Sequence, residues 1–324
     1  MSTPKSMLAG VKKGPVIRPH FVLLHGVDGV GKSTFGAAAP SPIFLGPEDG
    51  LGLLDVARFP TPKNWLEIRA AVSDLQSEEH EYETLVIDSI DWIEPMLWNY
   101  ICLEHKVATI AQVGDGFGQG YVVAQTQWQE LIKQLQRLRM KMNVIVIAHS
   151  HIKAFDDPSK NEKYDRYLLK LNDKAAAIWR EAVDCVFFAN FQTTTTKQKG
   201  SAKARAFGDG TRVMFTERRP AFDAKNRFNL PFEMPLDWKV FADAVTAAAK
   251  VTPDQSASPD AIAALLKGNE AEALAFLVAN EWLEEGQTLA DLPPSRRTSI
   301  LARPEAFLQA IASHQPEPTP TENE

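Results

Sequence analysis

Gly26-Val27-Asp28-Gly29-Val30-Gly31-Lys32-Ser33, followed by Thr34, fits the spacing G-x-x-x-x-G-K-[ST]. An apolar run, Phe21-Val22-Leu23-Leu24-His25, precedes it, and a short helical stretch closed by Pro40 follows. Strand, glycine loop and helix are the context in which this spacing works. The glycines let backbone N–H groups turn inward around phosphate oxygens, and the helix start adds the positive end of a dipole. On this reading residues 26–34 hold a nucleoside triphosphate. Lys32 reaches the β- and γ-phosphates, and the Ser33 hydroxyl holds Mg²⁺.

The rest of residues 18–250 reads as strands alternating with helices. Strands are expected at 42–46, 82–88, 143–149, 184–191 and 211–217. Helices are expected at 64–77, 91–107, 122–141 and over a stretch ending near Val183. The strands are almost continuously apolar, which marks a mostly parallel sheet covered by helices on both faces. The last two strands form a long-looped hairpin, giving antiparallel strands at one edge. The fold class is therefore α/β, of the phosphate-loop NTPase type, with a small C-terminal helical piece.

Five segments follow: an N-terminal extension at 1–17, the ATPase core at 18–250 and a Ser/Pro linker at 251–258. After these come a small helical domain at 259–313 and an acidic, proline-rich tail at 314–324, expected to be disordered. In the helical piece Ser258-Pro259-Asp260 is a helix start. The net charge of −6 conceals an asymmetry. Residues 1–250 carry 31 basic against 29 acidic side chains, and residues 251–324 carry 4 against 12. A local basic face on the core thus stays compatible with nucleic acid. Cys102 and Cys185 sit in apolar runs and read as buried thiols. With no apolar run of membrane-spanning length and no apolar signal core, a cytoplasmic protein without a membrane partner is expected.

Hydrolysis needs an acid for the metal and a base for water. Asp88, ending the apolar run Leu85-Val86-Ile87, suits the first role, so Ser33 and Asp88 are the expected metal pair; the alternative is a strand-terminal capping Asp. Ser89 occupies the adjacent place where many phosphate-loop enzymes carry a water-polarising glutamate. Glu48, after the second strand, is the expected base, with Asp49 its competitor; the alternative is a solvated loop acid. Asp91 reads as a first-turn helix acid. His149 and Ser150 end the fourth strand, where a polar group can report the γ-phosphate; the alternative is a His that merely closes the strand. Segment 192–219 holds Lys197, Lys199, Lys203, Arg205, Arg212, Arg218 and Arg219 against Asp209 and Glu217. It suits a mobile arm tracking single-stranded phosphates, with Phe117, Tyr121, Tyr164 and Tyr167 as stacking candidates. The alternative is a solvated hairpin tip.

Together the phosphate loop, Glu48, Val86-Ile87-Asp88-Ser89 and Ile147-Ala148-His149 resemble a RecA-type ATPase core. More narrowly, residues 18–245 look like phage-encoded AAA-type nucleotide-binding proteins related to single-strand annealing, RecA-like recombinases. Ala224-Lys225-Asn226-Arg227-Phe228-Asn229-Leu230-Pro231 matches the family's Lys-x-Arg signature. The resemblance implies that Arg227 is an arginine finger acting on a neighbouring subunit's γ-phosphate, with Lys225 its partner; the alternative is a basic turn closing the domain. It implies DNA-contacting loops at Gly114–Tyr121 and 150–167, ATP and Mg²⁺ as cofactors, and a homo-oligomer with nucleotide at subunit interfaces. It also implies single-stranded DNA as partner, a possible single-strand-binding protein beside it, and a place in phage recombination or replication in the host cytoplasm. His149 stands where recombinases carry a polar amide, and their N-terminal polymerisation domain has no counterpart in the match. Two rival functions are a nucleotide or small-molecule kinase and an ATP-dependent loader or scaffold.

Overall fold

The computed structural model describes residues 11, 18–48, 50–156, 163–192, 194–197, 204–208, 210–250, 258–280, 282–302 and 304–313. Nearly all of the expected N-terminal extension and linker, and the acidic tail, lie outside them, as does Asp49. The chain divides into two compact units, 1–249 and 250–324.

In chain order the first unit contains β1 (Phe21–Gly26), α1 (Lys32–Ala37), β2 (Pro42–Leu45), β3 (Ala57–Arg58), α2 (Trp65–Ser77) and β4 (Thr84–Ile87). Next come α3 (Ile90–His105), α4 (Gln119–Leu138), β5 (Asn143–Phe155), β6 (Tyr164–Leu169), α5 (Asp173–Ala182) and β7 (Cys185–Phe191). It ends with β8 (Thr194–Lys197), β9 (Ala204–Phe207), β10 (Arg212–Phe215), β11 (Lys225–Asn226), β12 (Glu233–Pro235) and α6 (Trp238–Lys250).

The main sheet runs β12-β10-β7-β1-β5-β4-β2-β3. The six strands from β7 to β3 are parallel. β10 and β12 extend the β7 edge antiparallel, as the expected late hairpin requires. Successive residues of β1 face opposite ways, and both ways are dry. Phe21 and Leu23 meet Trp65, Ile93, Trp128 and Trp179 from α2, α3, α4 and α5. Val22 and Leu24 meet Phe35, Trp238 and Phe241 from α1 and α6. A strand buried on both faces must be apolar throughout, which is why its sequence shows no alternation. Trp65, Trp128 and Trp179 are fully buried and pack edge to face, with centroids 5.2 and 5.4 Å apart. Such pairs add about 0.5–1.5 kcal/mol each beyond the area they bury. Asn64 caps α2, accepting from the Glu67 N–H at 3.1 Å. Cys102 and Cys185 are buried free thiols.

Three segments depart from expectation. β5 does not stop at His149 but runs on to Phe155 and pairs antiparallel with β6, where a polar connecting segment was expected. The expected glycine loop is partly helical. Residues 110–115 are 3₁₀-like with a kink at Val113 and Gly114, and Gly120 already lies inside α4. Within 192–210 the chain forms its own ribbon, β8 paired with β9.

The second unit holds α7 (Pro259–Leu265), α8 (Glu270–Ala279), α9 (Pro294–Ala302) and α10 (Pro304–Ser313). Ser258 Oγ caps α7 by accepting from the Ala261 N–H at 3.2 Å, with Pro259 opening the helix. Ile262, Leu266, Leu277, Ile300, Phe307 and Ile311 form its core. No helix among the described residues is long and apolar enough to cross a membrane.

Candidate nucleotide-binding and hydrolysis site

Parallel strands bring their carboxyl ends to one edge, and the site forms there beside β1. Gly26 lies so close to β7 that a Cβ would run into the Ala189 carbonyl. Gly31 takes φ 101°, a left-handed value that favours glycine, and serves as the N-cap of α1 without any side-chain cap. Val30 is fully buried and anchors the loop to the core, while Asp28 is solvent-facing and Thr34 is exposed on α1. Lys32 is buried, and its Nζ donates to the carbonyls of Gly26 at 3.2 Å and Val27 at 3.0 Å. Burial pushes the Lys32 amine below its ordinary range, against the pull of Asp28, Asp88, Asp91 and Glu48. The ammonium is thus held over the loop among acids.

Asp88 follows β4 directly, and its Oδ2 accepts from Ser33 Oγ at 2.6 Å. Burial raises the Asp88 carboxyl, partly offset by that hydrogen bond, and the charge of Glu48 raises it further. A hydroxyl and a carboxylate side by side are hard oxygen donors, and the buried carboxylate has a charge that a cation would stabilise. The pair fits Mg²⁺, which takes one or two protein oxygens and keeps its remaining waters.

Glu48 comes to the same place from the end of β2. Ser89 Oγ donates to Glu48 Oε2 at 3.3 Å. His149, on β5, turns Nε2 toward Glu48 Oε1 at 4.0 Å and Asp28 Oδ1 at 3.8 Å. Its Nδ1 stands 2.9 Å from Asp91 Oδ2, and its backbone N–H donates to Asp91 Oδ1 at 3.0 Å. The hydrogen bond to Asp91 raises the His149 imidazole above its ordinary value, against the effect of burial. Burial alone would raise the Asp91 carboxyl, but the hydrogen bonds from His149 outweigh it and hold that carboxyl low. Asp91 does sit in the first turn of α3, as its spacing predicts. Its contact with His149 is an addition that requires β4 and β5 to be neighbours.

His25, the residue before the loop, is fully buried. Its Nε2 lies 2.9 Å from the Asp223 carbonyl, which can only accept, so Nε2 carries the proton. Nδ1 then accepts from Ser150 Oγ at 2.8 Å. This ring ties the start of the phosphate loop to the strand that bears His149.

A family model described as an AAA domain matches residues 18–228. The chain belongs to that AAA domain family. A search of curated proteins gives no match. The mixed, mostly parallel sheet is that of an α/β phosphate-loop NTPase.

Within this AAA domain the remaining candidates are scattered. Lys225 Nζ donates to the carbonyls of Arg180, Glu181 and Val183 at 2.7–3.0 Å, closing the C-terminal end of α5 in its own chain. Arg227 is half exposed, with Nη1 3.8 Å from Asp184 Oδ1. Both lie at the amino edge of the sheet, since Asn226 pairs with Cys185 and Cys185 with Val22. Phe117 is fully exposed. Tyr121 packs edge-on against Trp98 at 5.6 Å, and Tyr167 lies against Phe188 at 4.9 Å. Tyr164 contacts the Phe155 ring at 5.8 Å. Arg218 Nε lies 3.8 Å from Asp223 Oδ1, and Arg219 covers the Phe232 ring. Lys199, Lys203 and Asp209 lie outside the described residues.

Proposed function

We propose that the chain is an ATPase that hydrolyses ATP at the 26–34 loop and acts on single-stranded DNA. One observation carries the hydrolytic half: Ser33, Asp88, Ser89, Glu48 and His149 converge beside the phosphate loop through contacts of 2.6–4.0 Å. Lys32 binds the β- and γ-phosphates and offsets charge as the leaving oxygen develops. Glu48, oriented by Ser89, takes a proton from the water that attacks the γ-phosphorus, and ADP leaves with the bonding electron pair. Mg²⁺, when bound at Ser33 and Asp88, neutralises charge on the phosphate oxygens. His149, fixed by Asp91, turns Nε2 toward Glu48, and its hydrogen bond to Asp91 favours the protonated ring.

The DNA half is supported by exposed Phe117 and by solvent-facing Lys153 and Arg218, whose partners Asp173 and Asp223 a phosphate backbone would replace. Assembly is supported by the place of Arg227. It lies roughly four residues of strand from its own loop, about 13 Å, so a phosphate it reaches would belong to a neighbouring subunit. A role in phage recombination or replication, alongside a single-strand-binding protein, is the cellular setting this reading favours. The test is ATP turnover by the full chain with and without an unstructured single strand. Stimulation of several-fold, lost on raising salt, is expected. Turnover indifferent to DNA would contradict the DNA half and leave the ATPase half standing.

A further inference from the structure

The sequence groups Arg212 with the basic residues of a mobile arm. The structure puts it elsewhere. Arg212 opens β10, pairs with Phe191 of β7, and accepts at its carbonyl from the Leu236 N–H at 3.2 Å. Its backbone is therefore held from both sides by ladder contacts. β7 in turn lies beside β1, so the start of β10 stands at the carboxyl edge of the sheet, next to the phosphate loop. There the guanidinium covers Gly31. A Cβ built on that glycine would stand 2.9 Å from Arg212 Nη1 and 3.7 Å from Cδ and Cζ. Gly31 thus leaves room for the guanidinium as well as allowing the turn. Among the described residues no carboxylate lies within 4.0 Å of the Arg212 guanidinium, although Asp28, Glu48, Asp88 and Asp91 all surround Lys32 nearby.

We propose that Arg212 is a second phosphate ligand of the nucleotide site, acting on the terminal phosphates of a nucleoside triphosphate bound in its own subunit. This rests on the nucleotide reading above. A guanidinium presents paired N–H donors that match two phosphate oxygens at once, which an ammonium cannot do. Lys32 Nζ stands at the Gly26 and Val27 carbonyls and Arg212 at Gly31, so cations meet the loop at both its ends. The anchoring is rigid, since β10 sits between β7 and β12. The ligand class is therefore a triphosphate in preference to a diphosphate, because the third phosphate adds charge for a guanidinium beside Gly31 to meet. The arrangement differs in kind from the role considered for Arg227, whose phosphate would lie in another subunit.

The experiment is equilibrium binding of fluorescent ATP and ADP analogues, with Mg²⁺, to the full chain and to Arg212→Ala, Arg212→Lys and Arg212→Gln. Loss of a charge-assisted bidentate contact corresponds to about tenfold or more. Arg212→Ala is expected to weaken ATP by about that factor and ADP by much less, with Arg212→Lys recovering part of the loss and Arg212→Gln little. Thermal melting without nucleotide is expected to be unchanged, because the side chain makes no ion pair among the described residues. If Arg212→Ala fails to fold, Arg212→Gln against Arg212→Lys decides the question on the same ATP-to-ADP ratio. Wild-type binding of ATP with all three variants within twofold of it would overturn the inference alone. So would equal losses for ATP and ADP accompanied by a lowered melting temperature. Wild-type protein that binds neither nucleotide would overturn the nucleotide reading and this inference with it.

Discussion

His149 and Asp91 form a two-point contact: the ring Nδ1 and the backbone N–H of one residue meet the two carboxylate oxygens of the other, at 2.9 and 3.0 Å. Both the rotamer and the position of the imidazole are fixed, leaving Nε2 directed at Glu48 and Asp28. The buried carboxylate keeps the ring protonated over a wider range than an isolated histidine.

Asp91→Asn removes the charge and keeps the shape. His149 is then expected to titrate at lower pH than in the wild type, because the hydrogen-bonded charge that raises it is gone, read from its ring proton signals by NMR. The sign for stability follows from the raised value. His149 contributes fully below the unfolded value of 6.5, and that contribution is lost as pH rises through the folded value. The alkaline limb of ATP turnover should move to lower pH in Asp91→Asn. An unmoved limb would show that His149 is not the group setting it.

His25 carries the opposite sign. Burial pushes its imidazole down to about 4 from 6.5, so the folded state excludes a proton that the unfolded chain accepts. Stability should fall as pH drops from about 6.5 toward 4, by about 2 kcal/mol at pH 5 from this group alone. Urea unfolding at pH 7.5 and pH 5 measures it. His25→Gln should be less stable at pH 7.5, having lost its two hydrogen bonds, yet show a smaller difference between the two pH values. An equal difference in both proteins would mean that the acid sensitivity lies in other groups.

The contrast between these two histidines shows what the sequence could tell. The apolar runs of β1, β4, β5 and β7 declare a parallel sheet because both faces are dry, and the glycine spacing declares the loop. Asp88 follows from its position after Val86-Ile87. Glu48 and His149 follow from the same logic, since strand ends of a parallel sheet gather at one edge. What escaped depends on strand order, not on local pattern. Asp91 meets His149 only because β4 and β5 are neighbours, and Arg212 meets Gly31 only because β7 lies between β10 and β1. The far half of β5 is hard to read because residues 152–154 are exposed and the alternation Ile152-Lys153-Ala154 is too short to mark a strand. Lys225 is a candidate through the Lys-x-Arg match alone; its bonds to the carbonyls that close α5 depend on β11 lying beside β7.

Arg227→Ala and Lys32→Ala should complement one another if Arg227 serves a neighbour. The first keeps an intact loop, and the second keeps an intact finger. Mixed and co-assembled, they should recover part of the wild-type turnover that neither shows alone, because some interfaces pair both intact parts. Arg227→Ala alone should keep its ATP affinity. Verified mixed oligomers with no recovery would place Arg227 in a role within its own subunit.

The most direct measurement is ATP binding and ATP turnover in parallel for Glu48→Gln. The amide cannot accept the proton of the attacking water but still fills the space beside Ser89. Affinity is expected within a few-fold of wild type, and turnover is expected to fall by about a hundredfold or more, the usual worth of a positioned base. The same pair of assays on Asp49→Asn should show little change in either. Normal turnover by Glu48→Gln, with turnover abolished in Asp49→Asn, would contradict the assignment of Glu48 as the base.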